Sequence, residues 1–216
     1  RIAIEAVEPT VDGGRFAAKA IVGEPFRVEA DIFCDGHEAI AAALLFRRRG
    51  GSGWAETPMR HLGNDRWRGT LVFEEPGPYE FAILSWRDLF ATWRLDTAKK
   101  HEAGQSIALE LEEGRGLAQQ ALELQDGASR EERRALEVLL EEMAVSASEG
   151  DRLAVLMSED MAVFMRRLGP RANLTRSDTS FPVFVDREKA AFSAWYELFP
   201  RSQSDDPQRH GTFDDV

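Results

Sequence analysis

The chain has 216 residues, 43% hydrophobic and 30% charged, and this composition excludes a wholly disordered or fibrous protein. Its 27 basic and 38 acidic residues give a net charge of −11, which disfavours binding to nucleic acid or to an anionic membrane. No apolar run approaches the roughly 18 residues of a membrane-spanning helix. Composition therefore favours a globular protein with neither nucleic acid nor membrane as a partner.

The chain contains one cysteine, Cys34, within a strand-like run. No intrachain disulfide is possible, and this favours a reducing compartment. We therefore expect a cytoplasmic protein in which Cys34 is a buried structural thiol.

The first hundred residues show the alternation of apolar and polar side chains that is typical of β-strands. It is clearest at residues 26–32 and recurs at residues 66–73 and 79–83, and residues 90–95 resemble one more strand. Turns rich in Gly, Asp and Asn separate these runs. Short strands at this spacing predict an antiparallel, immunoglobulin-like β-sandwich.

From about residue 112 to residue 168 the apolar spacing becomes helical. Stripes at residues 117–124, 136–143 and 153–168 predict three helices, with breaks at residues 126–129 and 148–151. Ser129 and Glu132 have the spacing of a capping box, and Gly169-Pro170 predicts the end of the last helix. The helices are therefore expected to be antiparallel neighbours with short loops.

The third stripe has more apolar surface than one exposed helix needs. It forms either the core of its own bundle or a contact with a partner, and the sequence does not separate these two interpretations. The candidate interface residues are Leu153, Leu156, Met157, Met161 and Phe164.

After the helices the β pattern returns at residues 181–186 and 192–200. The simplest interpretation is a sandwich interrupted by a helical insertion. We assign residues 1–100 and 170–190 to the β-sandwich and residues 101–169 to an inserted three-helix bundle.

Motifs for catalysis or for cofactors are missing from the sequence. The four histidines are scattered without metal-ligand spacing, and there is no phosphate-binding loop and no nucleophile elbow. The basic run at residues 47–49 is interpreted as a solvated strand end. We therefore assign no catalytic residue, no cofactor and no metal site.

The five tryptophans are expected to be mostly buried, since aromatic residues dominate cores. Trp67 is in phase with the apolar face of its strand. Trp54 follows a glycine-rich loop and is the exception that could stack on a sugar ring. It is the candidate substrate-binding residue.

Several longer motifs resemble those of one enzyme family. They are VDGGRF (11–16), GEP (23–25), VEADIFCDGH (28–37), LGNDRWRG (62–69), FATWR (90–94), FSAWYELFPRS (192–202) and HGTF (210–213). Together they resemble the N-terminal region of the bacterial α-1,4-glucan:maltose-1-phosphate maltosyltransferases, over nearly the whole chain.

The resemblance implies an activity for a longer protein. Members of this family transfer maltosyl units from α-maltose 1-phosphate to the non-reducing end of an α-1,4-glucan, with retention of configuration. An aspartate nucleophile and a glutamate acid/base do this on a (β/α)8 barrel. Residues 191–216 would begin that barrel, and both carboxylates would lie beyond Val216. The sandwich and the helical insertion would build the homodimer interface.

We therefore expect a non-catalytic dimerisation region, inactive by itself. Its partner is a second copy, and the full-length enzyme uses α-1,4-glucan and maltose 1-phosphate. Two alternatives remain open. The chain could be a carbohydrate-binding module that holds α-glucan through Trp54, or the N-terminal region of an α-amylase-like glycoside hydrolase.

Overall fold

A computed structural model describes residues 1–124, 129–146 and 148–216. Residues 126–128 of the predicted helix break at residues 126–129 lie outside these ranges. The strands are β1 (Ile2–Glu8), β2 (Ala18–Ile21), β3 (Pro25–Cys34), β4 (Ile40–Arg48), β5 (Ala55–Pro58), β6 (Arg60–Gly63), β7 (Arg66–Val72), β8 (Gly77–Asp88), β9 (Arg171–Arg176) and β10 (Phe181–Asp186). The helices are α1 (Leu89–Glu102), α2 (Ala108–Glu123), α3 (Arg130–Val145), α4 (Glu149–Leu156) and α5 (Glu159–Leu168).

The strands form two mostly antiparallel sheets, so the chain has a mixed α and β fold. One sheet has the order β1-β3-β7-β6, and the other has the order β2-β10-β8-β4-β5 with β9 also paired to β8. In the second sheet β2 and β10 run parallel. The long strand β8 pairs with β10 along its first part and with β9 along its last part.

Side chains from both sheets meet in one apolar core. The alternation predicted for residues 26–32 is confirmed, because alternate residues of β3 from Phe26 to Ile32 are buried. Leu44 and Phe81 of the second sheet are fully buried in the same core. Trp67 is buried there as expected, and its indole N–H donates to the Ile32 carbonyl at 3.1 Å.

The helices bury a second apolar core of their own. Phe90 and Trp93 of α1 pack there with Leu136 of α3, Leu156 of α4 and Met161 of α5. Among the described residues, no helix is long and apolar enough to cross a membrane.

The prediction of a strand at residues 90–95 is wrong, because these residues form the first part of α1. The buried side chains of α1 are Phe90, Trp93 and Thr97, whose spacing of three and four is helical. Over only six residues, a pattern of aromatic and β-branched side chains fits both the two-residue period of a strand and the 3.6-residue period of a helix. Asp88 decides the outcome, because its carboxylate accepts the Ala91 N–H at 2.8 Å and caps the helix.

The prediction of three helices is also wrong, since the described residues contain five. The third stripe is divided between α4 and α5 at Met157 and Ser158. The Ser158 hydroxyl caps α5 by accepting the Met161 N–H, and Arg94 Nη2 donates to the Met157 carbonyl at 2.8 Å. These bonds satisfy backbone groups that a continuous helix would have paired internally.

Other predicted helix ends are confirmed. Ser129 and Glu132 form the expected capping box at the start of α3, and α5 ends at Leu168, just before Gly169. Residues 192–199, by contrast, form no strand. No described strand pairs with them, and a strand needs a neighbouring strand for its ladder of hydrogen bonds.

Two glycines of α2 have different surroundings and give a matched test. A Cβ at Gly114 would overlap Cζ2 of Trp93, whereas a Cβ at Gly116 would meet no atom within 4 Å. We expect Gly114→Ala to lower the free energy of unfolding by about 1–3 kcal/mol through overpacking. Gly116→Ala should raise it by roughly 0.5–1 kcal/mol through helix propensity. Urea denaturation measures both, and equal effects would contradict this account of the packing.

Asp88 gives a pH-dependent test. Burial raises the pKa of its carboxyl above the ordinary 3.8, against the opposing hydrogen bonds from the Ala91 and Phe90 N–H groups. The folded protein therefore binds this proton more tightly than the unfolded chain does. As a result, the contribution of Asp88 to the free energy of unfolding falls as pH rises from about 4 through the folded-state pKa.

Two variants separate the charge of Asp88 from its role as a cap. Asp88→Asn keeps an acceptor oxygen without the buried charge, so we expect stability at pH 7 no lower than that of the original protein. Asp88→Ala should cost about 1 kcal/mol through loss of the cap. Urea denaturation at pH 4 and pH 7 measures both effects. An equal loss in the two variants at pH 7 would show that the charge, not the acceptor, stabilises α1.

Candidate interaction surface

A groove lies on the surface of the helices between α3 and α5, with a volume of about 750 Å³. Ala135, Val138 and Leu139 of α3 and Phe164 of α5 form its apolar part. Charged side chains, among them Arg134, lie at its rim. Apolar surface with a charged rim is the usual composition of a protein–protein contact.

The groove arises because each of the two helices has apolar residues on more than one face. Leu136 of α3 and Met161 of α5 are fully buried in the helical core. Val138 is 46% exposed and Val163, next to the groove residue Phe164, is 49% exposed. These two valines therefore remain available to a partner.

An ion pair joins the two helices that form the groove. Arg167 of α5 lies 2.5 Å from the carboxylate of Glu132 in α3. The Ser129 backbone N–H, and then the Ser129 hydroxyl and Arg167, hold the pKa of Glu132 below its usual value. Glu132 is therefore ionised at neutral pH, where it both caps α3 and binds α5.

The structure places most of the predicted interface residues in the interior. Leu156 and Met161 are fully buried and Leu153 is nearly so, while Met157 and Phe164 are half-buried. Of the five, Phe164 reaches the groove.

Val138 is not among the interface residues predicted from the sequence. The sequence feature that could have indicated Val138 is its spacing from Ala135, because residues three apart lie on one face of a helix. That face is distinct from the one that carries Leu136 and Met143, which are both buried.

Trp54, the predicted sugar-binding residue, is half-buried before β5. The guanidinium carbons of Arg47 and Arg176 lie 4.3 and 4.5 Å from its ring centroid. Arg47 is held in place by Glu80, at 2.8 Å. Two cations therefore occupy space over the ring that a sugar would need.

The same face of the second sheet carries another stack of this type. Arg171 lies 4.0 Å from the ring centroid of Trp86 and makes two hydrogen bonds to Glu56, at 2.6 and 2.9 Å. Trp86 itself is buried. These stacked arginines cover apolar sheet surface with their planar groups.

The segment after β10 exposes large aromatic side chains. Trp195 is 92% exposed, Tyr196 is 91% exposed and Phe192 is 80% exposed. The following turn is ordered by Asp215, which accepts bonds from Arg209 at 2.6 and 2.9 Å and also binds Thr212. Exposed apolar groups in this number indicate a surface that another element covers.

No group of three or more His, Cys, Asp or Glu side chains that could hold a metal ion occurs in the part of the chain that the structure describes. Of the surfaces described above, the groove between α3 and α5 and the aromatic segment at residues 192–199 are the two that offer apolar area to a partner.

Comparison with known proteins links this chain to one family. A family model described as α-1,4-glucan:maltose-1-phosphate maltosyltransferase, domain N/S, matches residues 1–187. A relative of that enzyme name from Cereibacter sphaeroides is 51% identical over 216 residues, which are 100% of this chain and 32% of the relative. Relatives of the same name from Burkholderia pseudomallei and Pseudomonas aeruginosa are 46% and 40% identical, each over 100% of this chain and over 19% and 32% of their own lengths.

This chain spans about a third or less of the length of these relatives. The match begins at the first residue, covers both sheets and all five helices and ends just after β10. The chain therefore belongs to the α-1,4-glucan:maltose-1-phosphate maltosyltransferase family, in which its residues 1–187 match domain N/S.

Proposed function

We propose that this chain is the N-terminal, non-catalytic region of a cytoplasmic maltosyltransferase and that it pairs two copies of the enzyme. The observation that carries the enzyme assignment is the 51% identity to a maltosyltransferase along the whole chain. The complete enzyme transfers maltosyl units from α-maltose 1-phosphate to the non-reducing end of an α-1,4-glucan. A retaining mechanism needs two placed carboxylates, and these belong to the part of the enzyme beyond this chain.

The two sheets with their common core are proposed to form an immunoglobulin-like sandwich. The helices, which lie between β8 and β9 in the chain, would be the insertion into this sandwich. Because α1 begins at Leu89, we place the start of the proposed insertion there and no longer at residue 101. Residues 191–216 lead into the catalytic barrel. The exposure of Trp195 and Tyr196 supports this, because the barrel would cover them.

The groove between α3 and α5 is the proposed contact with the second copy. Val138 is an exposed apolar residue of the groove, Phe164 forms part of its wall, and the exposed Val163 lies next to Phe164 in the chain. Met161 of α5 is buried, and Leu153 and Leu156 of α4 are buried in the same helical core. Met157 is half-buried and does not line the groove. A charge at Leu156 would unfold the helices instead of testing the surface.

Sedimentation equilibrium of this chain at several concentrations tests the pairing. We expect a dimer, and we expect Val163→Asp or Val138→Asp to weaken it by roughly ten-fold or more, since each places an unpaired charge in an apolar contact. Val72→Asp is the matched control, because Val72 is also 49% exposed but lies on β7. A chain that is monomeric at every concentration, or one weakened equally by the control, would contradict the proposal.

Glycogen affinity electrophoresis tests the alternative of a carbohydrate-binding module. Because Arg47 and Arg176 stand over Trp54, we expect no retardation of the chain by glycogen. Retardation that is lost in Trp54→Ala and kept in Trp195→Ala would favour the binding module. Trp195 serves as the control because its ring is almost fully exposed.

An assay of the complete enzyme distinguishes a maltosyltransferase from a hydrolase. With maltose 1-phosphate and glycogen we expect release of inorganic phosphate together with lengthening of the glucan. Hydrolysis of starch without phosphate release from maltose 1-phosphate would instead identify an α-amylase-like hydrolase. This chain alone is expected to show neither activity.

A further inference from the structure

The helices are attached to the sheets through a small set of polar contacts. The core between the sheets and the core of the helices share no buried residue among those the structure describes. The chain enters the helices at Asp88-Leu89 and leaves them at Gly169-Pro170. Neither apolar core spans this boundary, so the helices are connected to the sheets through the two chain crossings and the polar contacts beside them.

Thr92 in the first turn of α1 makes such bonds. Its hydroxyl accepts the Ala39 N–H and donates to the Asp88 carbonyl, each at 2.9 Å. Ala39 lies in the loop between β3 and β4, and its carbonyl accepts the Asp88 N–H at 2.9 Å. The bond to Ala39 therefore ties the first turn of α1 to the loop before β4, while the bond to the Asp88 carbonyl stays within the first turn of the helix and its cap.

The loop that Thr92 binds is itself fixed. Glu38 pairs with Arg87 of β8 at 2.9 Å, and the Glu38 carbonyl lies 3.6 Å from the Cys34 thiol at the end of β3. These contacts hold the loop between two strands of different sheets. Thr92 is therefore bonded to a rigid part of the β region.

The orientation of α1 is passed on to the other helices. Arg94, two residues after Thr92, donates to the Met157 carbonyl between α4 and α5. Trp93 Nε1 donates to the Glu110 carbonyl of α2 at 2.8 Å. A change in the direction of α1 would therefore carry the neighbouring helices with it.

We propose that the hydrogen bonds of the Thr92 hydroxyl set the orientation of the helices α1 to α5 relative to the two sheets. When the Thr92 hydroxyl is bonded to Ala39 and Asp88, the helices keep one orientation relative to the sheets. Without that hydroxyl they pivot about residues 88–89 and 169–170 while both cores stay folded. Thr92 is a positioning residue, and this role does not depend on dimerisation.

Distance measurements by double electron–electron resonance in the full chain test whether Thr92 sets the orientation of the helices. One spin label is placed at Glu74→Cys in the β region and the other at Ala144→Cys on α3, both exposed positions. Cys34→Ser, which keeps a donor for the Glu38 carbonyl, removes the native thiol. We expect Thr92→Val to broaden the distribution of distances and Thr92→Ser, which keeps the hydroxyl, to leave it narrow.

A second variant covers the case in which Thr92→Val does not fold. Glu38→Ala changes no helix residue but frees the loop that Thr92 binds, so it should also broaden the distribution. Thr70→Val, on the exposed face of β7, is the matched control and should change nothing. Distances as narrow in Glu38→Ala and in folded Thr92→Val as in the parent protein would overturn the proposal.

Discussion

The architecture depends on how the chain leaves β8 at Asp88. The same residue ends the strand, opposes Arg171 of β9 in the register of the sheet and accepts the N–H groups that begin α1. Burial makes its ionised form costly, and the N–H groups of α1 offset only part of that cost. At this point the period of the buried side chains changes from the two residues of a strand to the 3.6 residues of a helix. The strand before it contributes to the core between the sheets, and the helix after it contributes to the helical core.

The separation of the two cores gives each region its own role. Residues between the sheets are buried to near completion, and the outer face of the second sheet is covered by stacked arginines on Trp54 and Trp86. The helices, by contrast, leave Val138 and Val163 exposed beside a groove. Apolar surface that neither core can bury is what a second copy or a following domain would cover.

The candidate surface could be predicted only in part. Helical spacing places apolar residues on the correct face of a helix, but it does not say whether that face meets its own bundle or a partner. Leu156 and Val163 both lie in apolar helical segments, yet one is fully buried and the other half exposed. The difference comes from where α2 and α3 pack, which is information about distant parts of the chain. The surroundings of Trp54 could not be predicted locally either, because Arg176, which stacks on its ring, is far away in sequence.

Local chemistry in the sequence determined the strands with clear alternation, the capping box at Ser129 and the end of α5 before Gly169, and the resemblance of its motifs indicated the family. Each of these follows from residues that are neighbours in the chain. Only the tertiary structure decided that residues 90–95 are helical, that the third stripe is divided at Ser158 and that residues 192–199 lack a strand. In those places the local pattern fits two outcomes. The choice depends on the surroundings: on Arg94 for the break between α4 and α5, on the polar bonds around Asp88 for α1, and, for residues 192–199, on the lack of any described strand beside them.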